Sequence, residues 1–197
     1  MSSEKPLVSI GLPVYNGEQW IRQALESLVS QDYENIEIMI ADDKSTDNTP
    51  IICKEYSEKY DNIRFSINIK NLGGNGNIRE ILNHSFGKYF IWASQDDYWE
   101  SSFVSILVKK LEADKRMVLS SGNIEMLNMD GSSYFLIFKG KWNPENLSQR
   151  QMIASLLLPV NYGRWIKNNV FIHGVIRTSA LKIVFRYFRI KFGMIEV

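Results

Sequence analysis

The stretch that decides the fold lies near the amino terminus and reads Leu7-Val8-Ser9-Ile10-Gly11-Leu12-Pro13-Val14-Tyr15-Asn16-Gly17. Its apolar run 7–12 has the length of a buried strand, and we expect Pro13 and the turn-forming pair Asn16-Gly17 to end that strand. The residues after Glu18 repeat at helical spacing, which predicts one apolar helix stripe made of Trp20, Ile21, Ala24, Leu25, Leu28 and Val29. A strand followed at once by an amphipathic helix is the first half of a β-α-β unit.

The same alternation continues along the chain. Further strands are predicted at 36–41, 63–67 and 89–93. Helices are predicted to start at Thr49-Pro50 (with Thr49 as N-cap), to run from 77 to 85 after the glycine-rich loop 71–76, and to include 103–111. This order predicts an α/β fold, with a mainly parallel sheet and helices on both faces. The loops that follow the strands then share the edge where open α/β sheets bind ligands.

The pattern changes after Asp114. We expect a strand over 117–126, a hairpin turn at Asp130-Gly131 and a strand over 134–138. Helices are expected at 149–158 and 179–192, with an irregular stretch at 159–174 between them. We therefore divide the chain into a first part, 1–125, and a second part, 126–197.

Composition excludes several classes of protein. The chain has 197 residues, a formal net charge of +1, one cysteine and two histidines, so neither an internal disulfide nor a structural zinc site is expected. The last 48 residues hold eight Lys or Arg and one acid, which leaves a charge of about −6 on the first 149. A mostly acidic surface repels phosphate, so no nucleic-acid partner is expected. The start of the chain is polar and no apolar run approaches a membrane span, so a cytoplasmic protein is expected.

Two acidic pairs follow two of the predicted strands. Asp42-Asp43 follows 36–41, and Asp96-Asp97 follows 89–93, so both pairs are expected at one edge of the sheet. Four carboxylates gathered there repel one another unless a cation or hydrogen-bond donors offset their charge. Carboxylate oxygens suit Mg²⁺ or Mn²⁺, usually completed by substrate phosphates. The alternative is that these acids only cap helices or form Asx turns.

Other nucleotide motifs are missing from the chain. It has no G-x-x-x-x-G-K-[ST] segment, and the first strand is not followed by G-x-G-x-x-G. The loop Gly73-Gly74-Asn75-Gly76 has Arg79 where a dinucleotide fingerprint needs its third glycine. Its glycines would still let backbone approach a diphosphate or sugar, although a plain flexible connector fits equally well.

Four blocks together resemble the family 2 glycosyltransferases, which have the GT-A fold. The blocks are Val8–Gly17, Asp42–Asp47, Asn71–Gly74 and Gly87–Asp97, and a fainter match follows at His173–Arg177. The resemblance implies transfer of a sugar from a nucleotide-diphosphate sugar, typically a UDP-sugar, to a saccharide or lipid-linked acceptor. It also implies inversion of configuration, a role in polysaccharide or cell-envelope synthesis, a nucleotide-sugar-binding half at 1–125 and an acceptor-side segment at 126–197.

The resemblance also implies a role for each matching residue. Asp43 would accept a hydrogen bond from the base, Asp97 would hold Mn²⁺ or Mg²⁺, and Asp96 would lie by the ribose or sugar. Gln95-Asp96-Asp97 stands in the place of the family's D-x-D signature. The rest of the nucleotide pocket would be lined by Pro13, Tyr15, Glu18 and Gly74.

The catalytic base does not carry over from the family. An inverting transfer needs a base for the acceptor hydroxyl, and after Asp130 the chain has only Glu145 and Glu196, of which Glu196 is the weak candidate. We therefore expect the chain to be truncated at its carboxyl end. The alternative is a remnant that binds a nucleotide sugar with little or no transfer. Asn161-Tyr162-Gly163-Arg164-Trp165 comes near the Q-x-x-R-W element of processive synthases, with Asn in place of Gln.

The last predicted helix has two interpretations. One face carries Leu181, Val184, Phe185, Phe188 and Phe192, with basic residues around them. Packing of this face on the sheet is favoured, because an apolar stripe is usually core. The alternative is peripheral contact with the inner face of a membrane through 179–192, useful for a lipid-linked acceptor. If the face is uncovered, self-association into a homo-oligomer is expected.

Overall fold

The computed structural model describes residues 4–127, 130, 132–136 and 174–191, and it gives an α/β fold in these ranges. The elements, in chain order, are β1 (Val8–Val14), α1 (Ile21–Val29), β2 (Ile36–Asp42), α2 (Thr49–Lys59), β3 (Ile63–Ile67), α3 (Gly73–Asn83), β4 (Tyr89–Trp92), α4 (Phe103–Ala113), β5 (Leu119–Ser121), β6 (Ile124–Leu127), β7 (Ser133–Leu136), β8 (Gly174–Arg177) and α5 (Thr178–Lys191).

One six-stranded sheet organises the molecule, with the strand order β3-β2-β1-β4-β8-β5. Strands β3, β2, β1 and β4 are parallel, and β8 runs antiparallel between β4 and β5. Strands β6 and β7 form a separate antiparallel hairpin around the predicted turn at Asp130. The predicted parallel α/β architecture is therefore confirmed.

The core has two layers, one on each face of the sheet. Alternate residues of a strand point to opposite faces, so Ile38 and Ile40 join the layer that contains the apolar sides of α1, α2 and α4. Met39 and Ala41 alternate with them along β2 and pack in the other layer, with residues of α3 and α5. Full burial of each large aliphatic side chain contributes about 1.5–3 kcal/mol, so these two layers supply most of the driving force for folding.

The prediction that Pro13 ends the first strand is wrong, because β1 continues to Val14. Backbone groups of Gly11 face β4, because the Ala93 amide donates to the Gly11 carbonyl at 2.9 Å. Pro13 lies two residues further and faces the same side, where β4 has already ended at Trp92. The missing N–H of proline therefore costs no ladder hydrogen bond at this position.

Two predicted helix starts are wrong by one to four residues. The N-cap of α2 is Asn48, and Thr49 is the first helical residue. The Thr49 hydroxyl accepts a hydrogen bond from the Gly17 amide at 2.8 Å and makes no capping hydrogen bond to its own helix. Helix α3 starts at Gly73, so the glycines form its first turn instead of a loop. Gly73 has φ of 69°, a left-handed conformation that glycine adopts without strain.

The chain after Asp114 differs most from the prediction. Segment 117–126 is not one strand: β5 pairs with β8 in the large sheet, and after Gly122 and Asn123 strand β6 leaves to pair with β7. Strand β8 was not predicted at all. The predicted helix 149–158, most of the irregular stretch 159–174 and the end of the strand 134–138 lie outside the described residues.

Helix α5 begins where the last helix was predicted, and its described side chains pack on the sheet. Leu181 is 3% exposed, and the Phe185 ring lies 6.3 Å from the Trp92 ring between centroids. The packing interpretation is thus confirmed for the first two turns of α5. Within the described part of the chain, no helix is both long and apolar enough to cross a membrane.

Candidate functional site

The candidate site lies at the carboxyl edge of the parallel strands, where the strand order reverses. Helix α1, which connects β1 to β2, packs on one face of the sheet, and α3, which connects β3 to β4, packs on the other, so the strand order reverses between β1 and β4. Open α/β sheets bind ligands in the crevice that this reversal creates. In this chain the crevice is bounded by the loop after β1 and the loop after β4.

The loop after β1 is bound to the loop after β2 by hydrogen bonds in both directions. The Asn16 amide donates to Ser45 Oγ at 2.8 Å, and the Thr46 amide donates to Asn16 Oδ1 at 2.8 Å. Asn16 and Lys44 both have positive φ, 48° and 66°, so each loop turns sharply at the strand end. Asn adopts this conformation more readily than most residues, which explains asparagine at position 16.

Glu18 and Asp47 form a second connection between these two loops. The Glu18 amide donates to Asp47 Oδ2 at 3.1 Å, and the Asn48 amide donates to Glu18 Oε2 at 2.8 Å. Burial raises the pKa of Asp47, but hydrogen bonds from Thr49 and Glu18 outweigh it and hold that pKa below its usual value. Glu18, predicted to line the nucleotide pocket, thus has one oxygen engaged by the start of α2.

The pair Asp42-Asp43 divides into two roles. Asp42 is fully buried, and its Oδ1 accepts a hydrogen bond from the Ser45 amide at 2.8 Å, so it holds its own loop as an Asx-type turn. Asp43 is 3% exposed, and its Oδ1 accepts from Asn68 Nδ2 and from the Leu72 amide, both at 2.8 Å. The structural alternative therefore holds for Asp42, while Asp43 points toward the segment between β3 and α3.

A layer of amide side chains lies behind Asp43. Asn68 Nδ2 also donates to Asn77 Oδ1 at 3.1 Å, and Asn77 Nδ2 donates to the Ala41 carbonyl at 2.8 Å. Asn77 is 2% exposed, so its position is set by packing. The Asp43 carboxylate is consequently held in one orientation before any ligand arrives.

The second pair, Asp96-Asp97, lies in the loop after β4. Ser94 Oγ donates to Asp96 Oδ1, and the Asp97 amide donates to the Ser94 carbonyl at 3.4 Å. Asp96 is exposed and Asp97 is half-buried. The neighbouring Gln95 binds the backbone of Tyr15, which joins this loop to the loop after β1.

The two acidic pairs therefore lie on the same edge of the sheet, as predicted. Strands β2 and β4 flank β1, and neighbouring strands are about 4.8 Å apart, so these two strands run roughly 10 Å apart on either side of β1. This separation is of the order of a nucleoside diphosphate.

The donor set after β4 suits a divalent ion held mainly by its substrate. In the described ranges no three His, Cys, Asp or Glu side chains come together as a metal cluster. Asp96 and Asp97 supply hard carboxylate oxygens at an accessible edge, and Mg²⁺ or Mn²⁺ is commonly bound by one or two carboxylates plus substrate phosphates. The residues present fit such an ion.

The remaining predicted residues lie around the same edge or outside the described residues. Tyr15 is 48% exposed, Pro13 is half-buried at the end of β1, and Gly74 is exposed in the first turn of α3. A shallow depression beside the edge, between the starts of α1 and α2, is lined in part by Glu18 and Asn48. The base candidates Glu145 and Glu196 are not among the described residues.

Sequence reasoning missed the amide residues that hold the acidic pairs. Asn68 follows β3 directly, in the position that Asp43 occupies after β2, and this placement could have revealed it. Gln95 was identified only as the first residue of Gln95-Asp96-Asp97, the segment that stands in the place of the D-x-D signature. No sequence pattern indicates that its side chain reaches the backbone of Tyr15, because that contact joins residues 80 positions apart.

A sheet of this order, with acidic loops at its switch point, is the architecture of a nucleotide-binding α/β domain. The chain belongs to glycosyl transferase family 2, since that family model matches residues 9–164. It is 32% identical to glycosyltransferase GlyA of Streptococcus pneumoniae, over 83% of this chain and 25% of that protein. It is also 32% identical to an uncharacterized glycosyltransferase of Rickettsia prowazekii, over 79% of this chain and 46% of that protein. The chain thus spans a quarter to about half of these relatives.

Solved structures show the same fold. The Staphylococcus aureus protein TarS (residues 1–349), in complex with UDP, superposes with a TM-score of 0.68 at 23% identity, over 90% of this chain and 48% of that one. A mannosyltransferase of Pyrobaculum calidifontis, in complex with GDP-Man and Mn²⁺, gives a TM-score of 0.56 at 24% identity, over 60% of this chain and 36% of that one. The expected GT-A fold is therefore confirmed.

Proposed function

We propose that residues 1–125 bind a nucleotide-diphosphate sugar, with UDP as the nucleotide, and that the protein transfers the sugar to a saccharide or lipid-linked acceptor bound on the side of 126–197. The observation that carries this proposal is the placement of two acidic pairs at one sheet edge, with Asp43 oriented by Asn68 and Leu72. Membership of the family and the UDP and GDP-Man complexes of structurally similar proteins support it.

Asp43 selects a base that offers a hydrogen-bond donor. A carboxylate only accepts hydrogen bonds, and Oδ1 of Asp43 already accepts two from the protein. We assign the remaining oxygen, Oδ2, to the N3–H group of uracil. The exposed Tyr15 ring, at the end of the neighbouring strand, is assigned to the face of the base, and Pro13, Glu18 and Gly74 to the rest of the nucleotide pocket.

Asp97 is assigned to Mn²⁺ or Mg²⁺, and Asp96 to the ribose or the donor sugar. A bound divalent ion supplies positive charge that offsets the charge developing on a diphosphate leaving group. Asp97 would hold that ion at the loop after β4, and Asp43 and Tyr15 hold the nucleoside across β1. The protein thus orients the diphosphate between two fixed groups, and such orientation lowers the barrier to transfer.

A second candidate function is nucleotide-sugar binding without transfer. Inversion needs a base for the acceptor hydroxyl, and segment 174–191 contains no carboxylate. Slow hydrolysis of UDP-sugar with no transfer to any acceptor would favour this candidate. Transfer with inversion would favour the enzyme.

The test is a calorimetric titration of UDP into the protein with and without Mn²⁺. We expect Mn²⁺ to strengthen UDP binding in the wild type, and Asp97→Asn to remove this dependence, because the ion then loses its protein carboxylate. Asp61→Asn, which changes an exposed aspartate in the turn before β3, is the matched control and should behave like the wild type. UDP binding to the wild type that does not change with Mn²⁺ would contradict the proposal. An Asp97→Asn variant whose UDP binding still depends on Mn²⁺ would also contradict it.

A further inference from the structure

We propose that Gln95 is a positioning residue that fastens the loop of the Asp96-Asp97 pair to the loop of Tyr15, and thereby couples metal binding to nucleoside binding. Its carboxamide pairs with both polar groups of one backbone residue. The Tyr15 amide donates to Gln95 Oε1 at 2.9 Å, and Gln95 Nε2 donates to the Tyr15 carbonyl at 3.2 Å. The consequence for nucleotide binding rests on the proposed function, but the contact itself does not.

The contact takes the place of the backbone pairing that β4 would provide if it extended alongside Tyr15. Along β1 the groups of Val14 face β2, since the Asp43 amide donates to the Val14 carbonyl at 2.9 Å, and the groups of Gly11 face β4. Backbone groups alternate along a strand, so Tyr15 also faces the β4 side. Strand β4 stops at Trp92, and Pro13 has no N–H to offer. The side chain of Gln95 therefore takes over the pairing that β4 no longer provides.

Gly17 supplies the space for this contact. A Cβ atom placed on Gly17 would lie 2.5 Å from both Cδ and Oε1 of Gln95, closer than real contacts allow. The Gly17 carbonyl accepts the Trp20 and Ile21 amides at 3.0 Å, so this residue also anchors the turn that leads into α1. The carboxamide of Gln95 is thus held against the start of α1 as well as against Tyr15.

Only a primary amide of this length fits the arrangement. The contact needs one donor and one acceptor on the same planar group, which is the composition of a carboxamide. Glutamate would keep the acceptor, lose the donor and add a negative charge beside Asp96. Methionine has nearly the same length and flexibility but cannot form either hydrogen bond.

The first experiment measures coupling in the full chain. The ratio of the UDP dissociation constants without and with Mn²⁺ is determined for the wild type, Gln95→Met and the control Gln23→Ala, an exposed residue of α1. We expect the ratio to fall about tenfold in Gln95→Met, because two neutral hydrogen bonds that hold the two loops together are lost. Gln23→Ala should keep the wild-type ratio. An unchanged ratio in Gln95→Met would overturn the inference.

Gly17→Ala perturbs the same contact from the opposite side. It should lower the coupling ratio as Gln95→Met does, and the double variant Gly17→Ala/Gln95→Met should be no worse than Gly17→Ala alone. Such non-additivity is expected when two substitutions remove one interaction. Fully additive losses would show that the two residues act separately and would overturn the inference, even if Gln95→Met folded poorly.

Hydrogen exchange tests the contact without any ligand. The Tyr15 amide should be protected in the wild type and in Gln23→Ala and should exchange faster in Gln95→Met, since its acceptor is gone. Equal protection in all three proteins would overturn the inference. A wild type without Mn²⁺-dependent UDP binding would instead contradict the proposed function alone, so the two failures are distinguishable.

Discussion

The substitution Asp43→Asn separates the structural role of Asp43 from its proposed role in binding the base. In the wild type, Oδ1 accepts hydrogen bonds from Asn68 Nδ2 and the Leu72 amide, both at 2.8 Å. An asparagine can keep an oxygen at this position and place its NH₂ group where Oδ2 was. The alternative rotamer would turn that NH₂ toward two donors, so it is disfavoured.

The magnitudes follow from these contacts. Asp43→Ala removes both hydrogen bonds to a buried carboxylate, and hydrogen bonds to charged groups contribute about 1.5–3 kcal/mol each before relaxation, so a loss of about 3 kcal/mol in unfolding free energy is expected. Asp43→Asn keeps the acceptor and should lose only about 1 kcal/mol. In UDP binding, however, Asp43→Asn replaces the acceptor Oδ2 by an NH₂ donor that faces the N3–H group of uracil. A loss of about 2 kcal/mol in binding free energy weakens UDP binding roughly 30-fold.

Two assays on the same variants decide the point. Urea denaturation gives the unfolding free energies, and calorimetry gives the UDP dissociation constants at saturating Mn²⁺. We expect Asp43→Asn to be nearly as stable as the wild type and yet to bind UDP much more weakly. If Asp43→Asn binds UDP within twofold of the wild type, then Asp43 does not contact the base and serves only to hold Asn68 and Leu72.

Three further predictions concern stability and reactivity. Hydrogen bonds from Lys115, Lys88 and Tyr89 lower the pKa of Glu112 from 4.5 to about 2. The contribution of Glu112 to the free energy of unfolding is therefore present above pH 4.5 and is lost as the pH falls to about 2. Glu112→Gln should make stability less dependent on pH over this window, and an unchanged acid-denaturation curve would contradict this prediction. Burial raises the pKa of the Cys53 thiol to about 12, so a disulfide reagent should label it only as fast as the protein unfolds, and rapid labelling would refute the buried position. Gly87→Ala would bring a Cβ atom within 2.5 Å of a backbone nitrogen, so thermal denaturation should show a loss of about 1–3 kcal/mol, and a wild-type melting temperature would disprove the close approach.

The parallel half of the fold was predictable because its strands are short, continuous apolar runs. Segment 36–41 contains Ile36, Ile38 and Ile40 on one face and Met39 and Ala41 on the other, and both faces are buried. A strand covered on both faces is apolar along most of its length, which leaves a clear mark on the sequence. Glu37, buried in the same segment, is the exception and accepts a hydrogen bond from Ser9 Oγ. The edge at which Asp43 and Asp97 lie follows directly from the alternation of strands and helices.

The details that could not be predicted depend on contacts between distant residues. Pro13 stays in β1 because β4 ends earlier, which a reading of local sequence cannot reveal. The Thr49 hydroxyl accepts from the Gly17 amide, 32 residues away, instead of capping its own helix. The contact of Gln95 with Tyr15 has the same origin. Strand β8 was missed because Gly174–Arg177 is short and its partners, β4 and β5, are far away in the sequence.

The central claim is that the loops after β2 and β4 bind the same nucleotide, with the divalent ion held by Asp97 in the loop after β4. Mn²⁺ broadens the NMR resonances of nuclei near it, so backbone amide spectra recorded with Mn²⁺, with and without UDP, locate the ion directly. We predict that UDP confines and strengthens the broadening at Asp96, Asp97 and Gln95, with a weaker effect at Tyr15. Broadening that is unaffected by UDP, or that is centred away from the carboxyl edge of the sheet, would contradict the claim.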